Sequence, residues 1–321
     1  MNYSGEKDIP AITIGMPVYN GAESLRSALD SLINQTFKNF ELIISDNAST
    51  DSTAEICETY ANKDVRIKYI RQTSNIGVVG NFKYVLMAAS ADYFMWAAAD
   101  DVRSLDYLEL NYEFLLNNST YVASTSPNGF ESWKSDKELV SFSIEEDEVF
   151  DRYIKFFQNC YNSHGLFYGL IRTNVMRDSR LLDQIFPNYD WLGMDWATIL
   201  YLASIGKLNR TMKGHTVFGV QGASSNSNIF RIFNTHWIEY FMPFYVLSKF
   251  AITLTKELPH RQKLKMLYVL VKLNISAVVG PLQKSQKAFF NRMYHGFLKR
   301  LMNTFLYRVY CRFLKPLVKN I

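Results

Sequence analysis

The sequence predicts an α/β protein with a mixed, mainly parallel sheet flanked by helices and a helical extension at its C-terminus. Three observations predict it. Short β-branched apolar runs alternate with segments of helical spacing over the first hundred residues, an order that implies parallel strands joined by right-handed crossovers. Three of these runs end in polar residues: AITIGMPVYN (11–20), FELIISDNASTD (40–51) and DYFMWAAADD (92–101). Near residue 230 the alternation gives way to helical periodicity, and the sign of the charge changes.

The elements follow in order. Residues 11–17 alternate and are β-branched, as in a buried strand. Leu25, Leu29, Leu32 and Ile33 stand at helical spacing within 22–35. Residues 40–45 form the second strand, and Asn47, Ser49 and Thr50 are candidate caps for a helix over 51–62 with Ile56 and Tyr60 inward. A short strand over 66–70 and a loop with Asn75 and Gly77 lead to a helix over 78–90, then to a fourth strand over 92–97. A helix over 104–117 and a strand over 120–125 come next, then a polar loop or hairpin over 127–147. A helix over 147–160 precedes GLFYGLIR (165–172), which reads as a strand. Residues 193–205 are helical, 207–213 extended, and 214–229 a loop rich in Gly, Ser and Asn. No internal repeat is visible.

Composition bounds the chemistry. A chain of 321 residues, 48% apolar, has ample material for a core. Cys57, Cys160 and Cys311 are odd in number and far apart, so they make neither a disulfide framework nor a zinc pattern and point to a reducing compartment. The polar N-terminus lacks the apolar segment of a signal peptide. Residues 1–230 hold 19 Lys and Arg against 28 Asp and Glu, a net charge of −9. Residues 231–321 hold 16 basic residues and two acids, Glu239 and Glu257, a net charge of +14.

In a parallel sheet, ligands bind outside the carboxyl ends of the strands. Asp46, Asp100 and Asp101 at three strand ends therefore suit a nucleotide and a divalent cation, since hard cations take carboxylate and phosphate oxygens. The adjacent acids Asp100 and Asp101 repel each other unless a cation or donor is near.

These residues resemble a known family. The segments MPVYNGAESLRSALDSLINQTFKNFELIISDNASTDST, SNIGVVGNF, AAADD and, more weakly, GMDWA are similar to those of the family 2 glycosyltransferases, over about residues 10–220. The resemblance implies the GT-A fold and transfer of a sugar from a nucleotide-diphosphate donor with inversion at the anomeric carbon, with Mn²⁺ or Mg²⁺. By resemblance, Pro17, Tyr19 and Asn20 lie beside the base, and Asp46 accepts an N–H of uracil or thymine, favouring a UDP- or dTDP-sugar. Asn75 and Gly77 form the family's Asn-x-Gly turn, with Asn81 one turn into the next helix. Asp101 is assigned to the metal and Asp100 to the ribose or metal. Asp195 is the candidate base for the acceptor hydroxyl, with Asp190 as rival, and Trp191 and Trp196 are candidate platforms for an acceptor sugar. The chain departs from the family pattern at three places. Ala98 stands where a further aspartate precedes the pair, Met194 where an acid precedes Asp195, and Gln221 where relatives have a metal-binding histidine, with His215 off register.

Residues 1–230 thus read as the catalytic domain and 231–321 as a basic, amphipathic, membrane-associating region. Phe290, Tyr294, Phe297, Leu301 and Phe305 share one helical face and Arg292, His295 and Lys299 the other, the pattern of an interfacial helix on an anionic membrane. No stretch gives about 20 charge-free apolar residues, so no span is expected. The expectation is an enzyme moving one sugar to a lipid-linked glycan acceptor in cell-surface polysaccharide synthesis such as capsule or O-antigen, cytoplasmic and peripheral on the inner face of the cell membrane. The acidic catalytic half argues against a nucleic-acid partner. The absence of a Gln-x-x-Arg-Trp motif argues against a processive synthase. A sugar-nucleotide pyrophosphorylase would want a Gly-rich basic loop after the first strand, where this chain has PVYNGAES. A membrane-peripheral nucleotide-sugar-binding scaffold without turnover is the non-enzymatic alternative.

Overall fold

The computed structural model describes residues 9–130, 142–186, 193–219 and 244–279. The strands are β1 (Ile12–Val18), β2 (Phe40–Asp46), β3 (Ile67–Arg71), β4 (Tyr93–Trp96), β5 (Val102–Arg103), β6 (Tyr121–Thr125), β7 (Asn128–Phe130), β8 (Leu170–Arg172), β9 (Lys207–Arg210) and β10 (Thr216–Phe218). Seven of them make one sheet in the order β3-β2-β1-β4-β8-β6-β9. Strands β1 to β4 are parallel neighbours. Strand β8 runs antiparallel between β4 and β6, which makes the sheet mixed. A small second sheet, β5-β10-β7, crosses its carboxyl edge just after the aspartate pair.

Helices α1 (Leu25–Ile33), α2 (Thr53–Ala61), α3 (Val78–Ala88) and α4 (Tyr107–Asn117) connect the early strands. Their apolar positions make two cores, one on each face of the sheet. The first gathers Ile12, Ile14, Met16, Leu25, Leu29, Leu42 and Ile56; the second gathers Val85, Phe94, Trp96, Phe167 and much of the chain beyond α4. Near-continuous burial of β1 and β2 is what a sheet covered on both faces requires.

Two readings of local structure differ from the sequence expectation. GLFYGLIR is not one strand. After helix α5 (Val149–Asn159), residues His164–Phe167 form a helical turn, α6, and only Leu170–Arg172 is extended. An apolar run of this length has no period that separates helix from strand. The expected caps of α2 do other work: the Asp51 carboxylate accepts the Thr53 N–H at 3.0 Å, while Ser49 and Thr50 bind across to the turn after β1.

Helices α7 (Thr173–Met176) and α8 (Ser179–Gln184) lead to α9 (Met194–Ile205), which is buried almost all round. Two C-terminal helices, Tyr245–Leu254 and His260–Val279, pack on α5 and α9, and Leu247, Phe250, Met266, Leu270 and Leu273 join the same core. Phe244 stacks on Trp196 at 4.9 Å, and Asn274 accepts the Phe244 N–H at 2.8 Å. Among the described residues no helix is long and apolar enough to cross a membrane. The expected interfacial helix over 290–305 lies outside the described residues.

Candidate active site

The carboxyl ends of β1, β2 and β4 meet at one edge. Pro17 pairs with Ser45 of β2, one step past the last β1–β4 pair, Gly15 with Trp96. Its missing N–H therefore costs no bond on the β4 side. Tyr19 is half exposed, and Asn20 turns the chain with φ 51°. The Asn20 Oδ1 accepts the Thr50 N–H at 2.8 Å and its own N–H donates to Ser49 Oγ at 2.9 Å. Gly21 and Ala22 donate to Thr53 Oγ1 and Asp51 Oδ2 at 2.9 and 3.1 Å. The turns after β1 and β2 are thereby held to each other.

Asp46 is wholly buried. Its Oδ1 accepts the Ser49 N–H at 2.8 Å, its Oδ2 accepts the Tyr69 hydroxyl at 3.0 Å, and the Arg71 Nε stands 3.8 Å away. Arg71, itself half exposed, also donates to the Ser49 carbonyl at 2.8 Å and so lies across this carboxylate. Asn75 is tied down as well: its Oδ1 accepts from Asn47 Nδ2 and from the Gly77 N–H, both at 2.9 Å. Gly77 enters α3 with φ 77° and ψ 164°, a conformation almost restricted to glycine. Asn81, one turn into α3, bonds Ser45 and pins β2 to that helix.

Strand β4 delivers Asp100 and Asp101 from a rigid base. Trp96 is fully buried, stacked on Phe167 at 4.7 Å, and donates to the Phe82 carbonyl at 3.1 Å. Asp101 is buried, and among the described residues its Oδ2 has no hydrogen-bond partner. Burial raises its carboxyl to about 7; the Arg103 charge opposes this, the Asp100 charge adds to it, and the Gly219 N–H opposes it. Arg103 is buried on β5 with its Nη2 3.9 Å from Asp101 Oδ2. Gly219 crosses directly over the pair. Its N–H lies 3.4 Å from Asp101 Oδ1, and a Cβ there would sit 2.5 Å from the Asp100 Cβ and carbonyl oxygen.

The pair fits a cation by its donor set: two adjacent carboxyls, one with a buried oxygen lacking any donor. Among the described residues, no histidine, cysteine or acid completes a group of three. Gln221 lies outside the described residues, as do Asp190 and Trp191.

Asp195 sits in the first turn of α9, after Gly193 with φ 84°. Its Oδ2 is 3.1 Å from His164 Nδ1, and both side chains are part exposed. Burial, then the charges of Asp101, Asp195 and Asp100, hold the Tyr168 phenol well above its usual range. One side chain thus feels all three aspartates, which come from opposite ends of the sheet's long crossover. Trp196 is 6% exposed and belongs to the core, which corrects its reading as an acceptor platform. Tyr161 stands edge-on to it at 5.1 Å and is 60% exposed.

His164, Tyr161, Tyr168 and Arg103 carry no sequence signal of their own. Only Arg103 had a positional cue, two residues beyond the aspartate pair.

The profile of the family described as Glycosyl transferase family 2 matches residues 13–178, slightly more than half of the chain. The chain is 30% identical over 189 residues to glycosyltransferase GlyA of Streptococcus pneumoniae, covering 57% of this chain and 27% of that protein. It is 36% identical over 111 residues to an uncharacterized glycosyltransferase of Haemophilus influenzae, covering 35% and 44%. The chain thus spans less than half the length of these relatives. The fold is similar to that of S. aureus TarS 1–349 in complex with UDP-GlcNAc, with a TM-score of 0.60 at 14% identity over 86% of this chain and 77% of that one. It is also similar to the mannosyltransferase PcManGT of Pyrobaculum calidifontis in complex with GDP-Man and Mn²⁺, with a TM-score of 0.51 at 15% identity over 91% and 81%. At such identities the likeness to solved structures shows the fold. The mixed, mainly parallel sheet, its helical layers and the match over residues 13–178 place this chain in glycosyltransferase family 2, with the GT-A fold.

Proposed function

We propose that the chain is an inverting glycosyltransferase that moves one sugar from a nucleotide-diphosphate sugar to a saccharide acceptor. The observation that carries this reading is the convergence of Asp100, Asp101 and Asp195 on Tyr168 at the edge where β1, β2 and β4 end. Donor-side and acceptor-side carboxylates within one cleft are what displacement at an anomeric carbon requires.

In this reading Pro17, Tyr19 and Asn20 line the base, and Asn75 and Gly77 shape the loop beside it. Asp46 meets the base only once the long Arg71 side chain has swung off its carboxylate. Asp101, with Asp100, holds Mn²⁺ or Mg²⁺. A cation bound there would neutralise charge growing on the diphosphate leaving group. Asp100 and the backbone at Gly219 fix the donor's position. Asp195 takes the proton of the acceptor hydroxyl as that oxygen bonds to the anomeric carbon and the bond to the nucleoside diphosphate breaks. The exposed ring of Tyr161 offers the acceptor a stacking face in place of Trp196.

UDP- or dTDP-sugars are the favoured donors, in keeping with Asp46 as a base acceptor and with the UDP-GlcNAc bound by TarS. A lipid-linked glycan is the favoured acceptor, in polysaccharide assembly on the cytoplasmic face of the membrane. The +14 charge of residues 231–321 supports that location. So does helix His260–Val279, which has no acid and exposes Leu267, Tyr268 and Val271 among Arg261, Lys265 and Lys272.

The test is a thermal-shift panel of UDP-, dTDP-, GDP- and CMP-sugars with Mn²⁺ or with chelator. A ligand that binds only the native state raises the melting temperature. The expected result is a Mn²⁺-dependent shift with a UDP- or dTDP-sugar. No shift with any sugar nucleotide would overturn the reading.

A further inference from the structure

We propose that His164 is a positioning residue for the acceptor half of the site: its imidazole holds the Asp195 carboxylate in the orientation from which it takes the acceptor's proton. The inference rests on the reading of Asp195 as the base.

The pair joins residues 31 apart on two helices, with His164 Nδ1 and Asp195 Oδ2 at 3.1 Å. An ionised carboxylate only accepts hydrogen bonds, so Nδ1 carries the proton and donates. Among the described residues His164 is the one side chain that hydrogen-bonds Asp195. The contact engages Oδ2 and leaves Oδ1 for the acceptor hydroxyl. Stability does not account for it. His164 is 42% exposed and Asp195 26%, and ion pairs so open to water contribute little.

The histidine is itself held firmly. Ser163 Oγ donates to the Cys160 carbonyl at 2.7 Å, closing the turn before it. Gly165, the next residue, lies so close to buried Asn128 and Arg210 that a Cβ would sit 2.3 Å from Asn128 Oδ1. The backbone under the imidazole therefore has no room to shift inward. A catalytic group works when its supporting shell is locked in this way, and a misplacement of about 1 Å costs about a hundredfold in rate.

Two measurements on the full chain test this. The first needs no turnover: long-range ¹H–¹⁵N spectra of the imidazoles, with His164 assigned from the His164→Asn variant. Wild type should show the Nδ1–H tautomer, and Asp195→Ala should shift it toward Nε2–H. An Nε2–H tautomer in wild type overturns the proposal. The second is hydrolysis of UDP-GlcNAc with Mn²⁺, where water replaces the acceptor. His164→Ala should lower kcat by about tenfold to a hundredfold with the donor KM unchanged. His164→Asn, whose amide nitrogen can donate from nearly the Nδ1 position, should recover most of that loss. If Asn is as slow as Ala, the imidazole is itself the base and the positioning role is wrong. If His164→Ala keeps full rate while Asp195→Asn loses it, the inference fails and Asp195 stands as the base. If Asp195→Asn keeps full rate, the reading of Asp195 fails, and the inference with it.

Discussion

Asp101→Asn probes a buried group whose two duties, holding a cation and staying folded, oppose each other. In the folded chain burial raises the Asp101 carboxyl to about 7, against an ordinary value of 3.8. The folded state therefore keeps a proton that the unfolded state has shed. The stabilisation is complete below the unfolded value and is lost as pH rises through the folded one. A rise of about three units corresponds to about 4 kcal/mol at the extremes, of which about 2–3 kcal/mol falls between about pH 5 and about pH 8. The amide does not titrate. It also leaves Arg103, 3.9 Å from the carboxylate in wild type, without its counter-charge. That loss shifts the whole stability curve and leaves its slope alone. Urea unfolding by circular dichroism, at a series of pH values with chelator present, should show the stability of the variant gaining on wild type by that amount as pH rises. Adding Mn²⁺ and UDP near pH 8 should restore wild type and leave Asp101→Asn unmoved. Parallel pH profiles would refute the buried-carboxyl argument, and an equal Mn²⁺ response would refute the cation assignment.

Asp195→Asn should keep donor affinity by calorimetry yet lose transfer by about 10²–10⁴-fold, the usual cost of a missing general base. If Asp190→Asn loses turnover instead, Asp190 is the base. Gly219→Ala drives a methyl to 2.5 Å from the Asp100 backbone. It should lower Mn²⁺-dependent donor affinity with far less effect on the folding midpoint, whereas an unchanged affinity would detach this crossing from the site. Gly77→Ala should destabilise by about 1–3 kcal/mol in urea unfolding, since φ 77° with ψ 164° disfavours any side chain. Changing Arg292, Lys299 and Arg300 together to Glu should weaken sedimentation with anionic liposomes, each basic residue near the surface being worth about 1 kcal/mol, and leave nucleotide binding intact. Full-length wild type that stays in the supernatant at low salt would sink the membrane reading.

The sheet was legible because its signals are local. A period of two in residues 12–16, helical spacing in Leu25, Leu29 and Leu32, and polar punctuation after each strand depend on neighbours a few residues away. The aspartate pair was legible for a related reason: the end of an apolar strand is both a sequence pattern and a place in a parallel sheet. What the sequence could not determine is which side chains meet across long separations. Asp195 finds His164 across 31 residues, and Gly219 lands on Asp100 and Asp101 after 118. The same holds for the covering of Asp46 by Tyr69 and Arg71, and for Trp196, which looked like a sugar platform until Phe244 was stacked on it. It holds too for the turn over 164–167: an all-apolar run satisfies strand and helix alike, and only the space between β4, β6 and α9 decides. Such contacts arise from packing on both faces of the completed sheet, where burial and steric fit choose among conformations that are locally equal in energy.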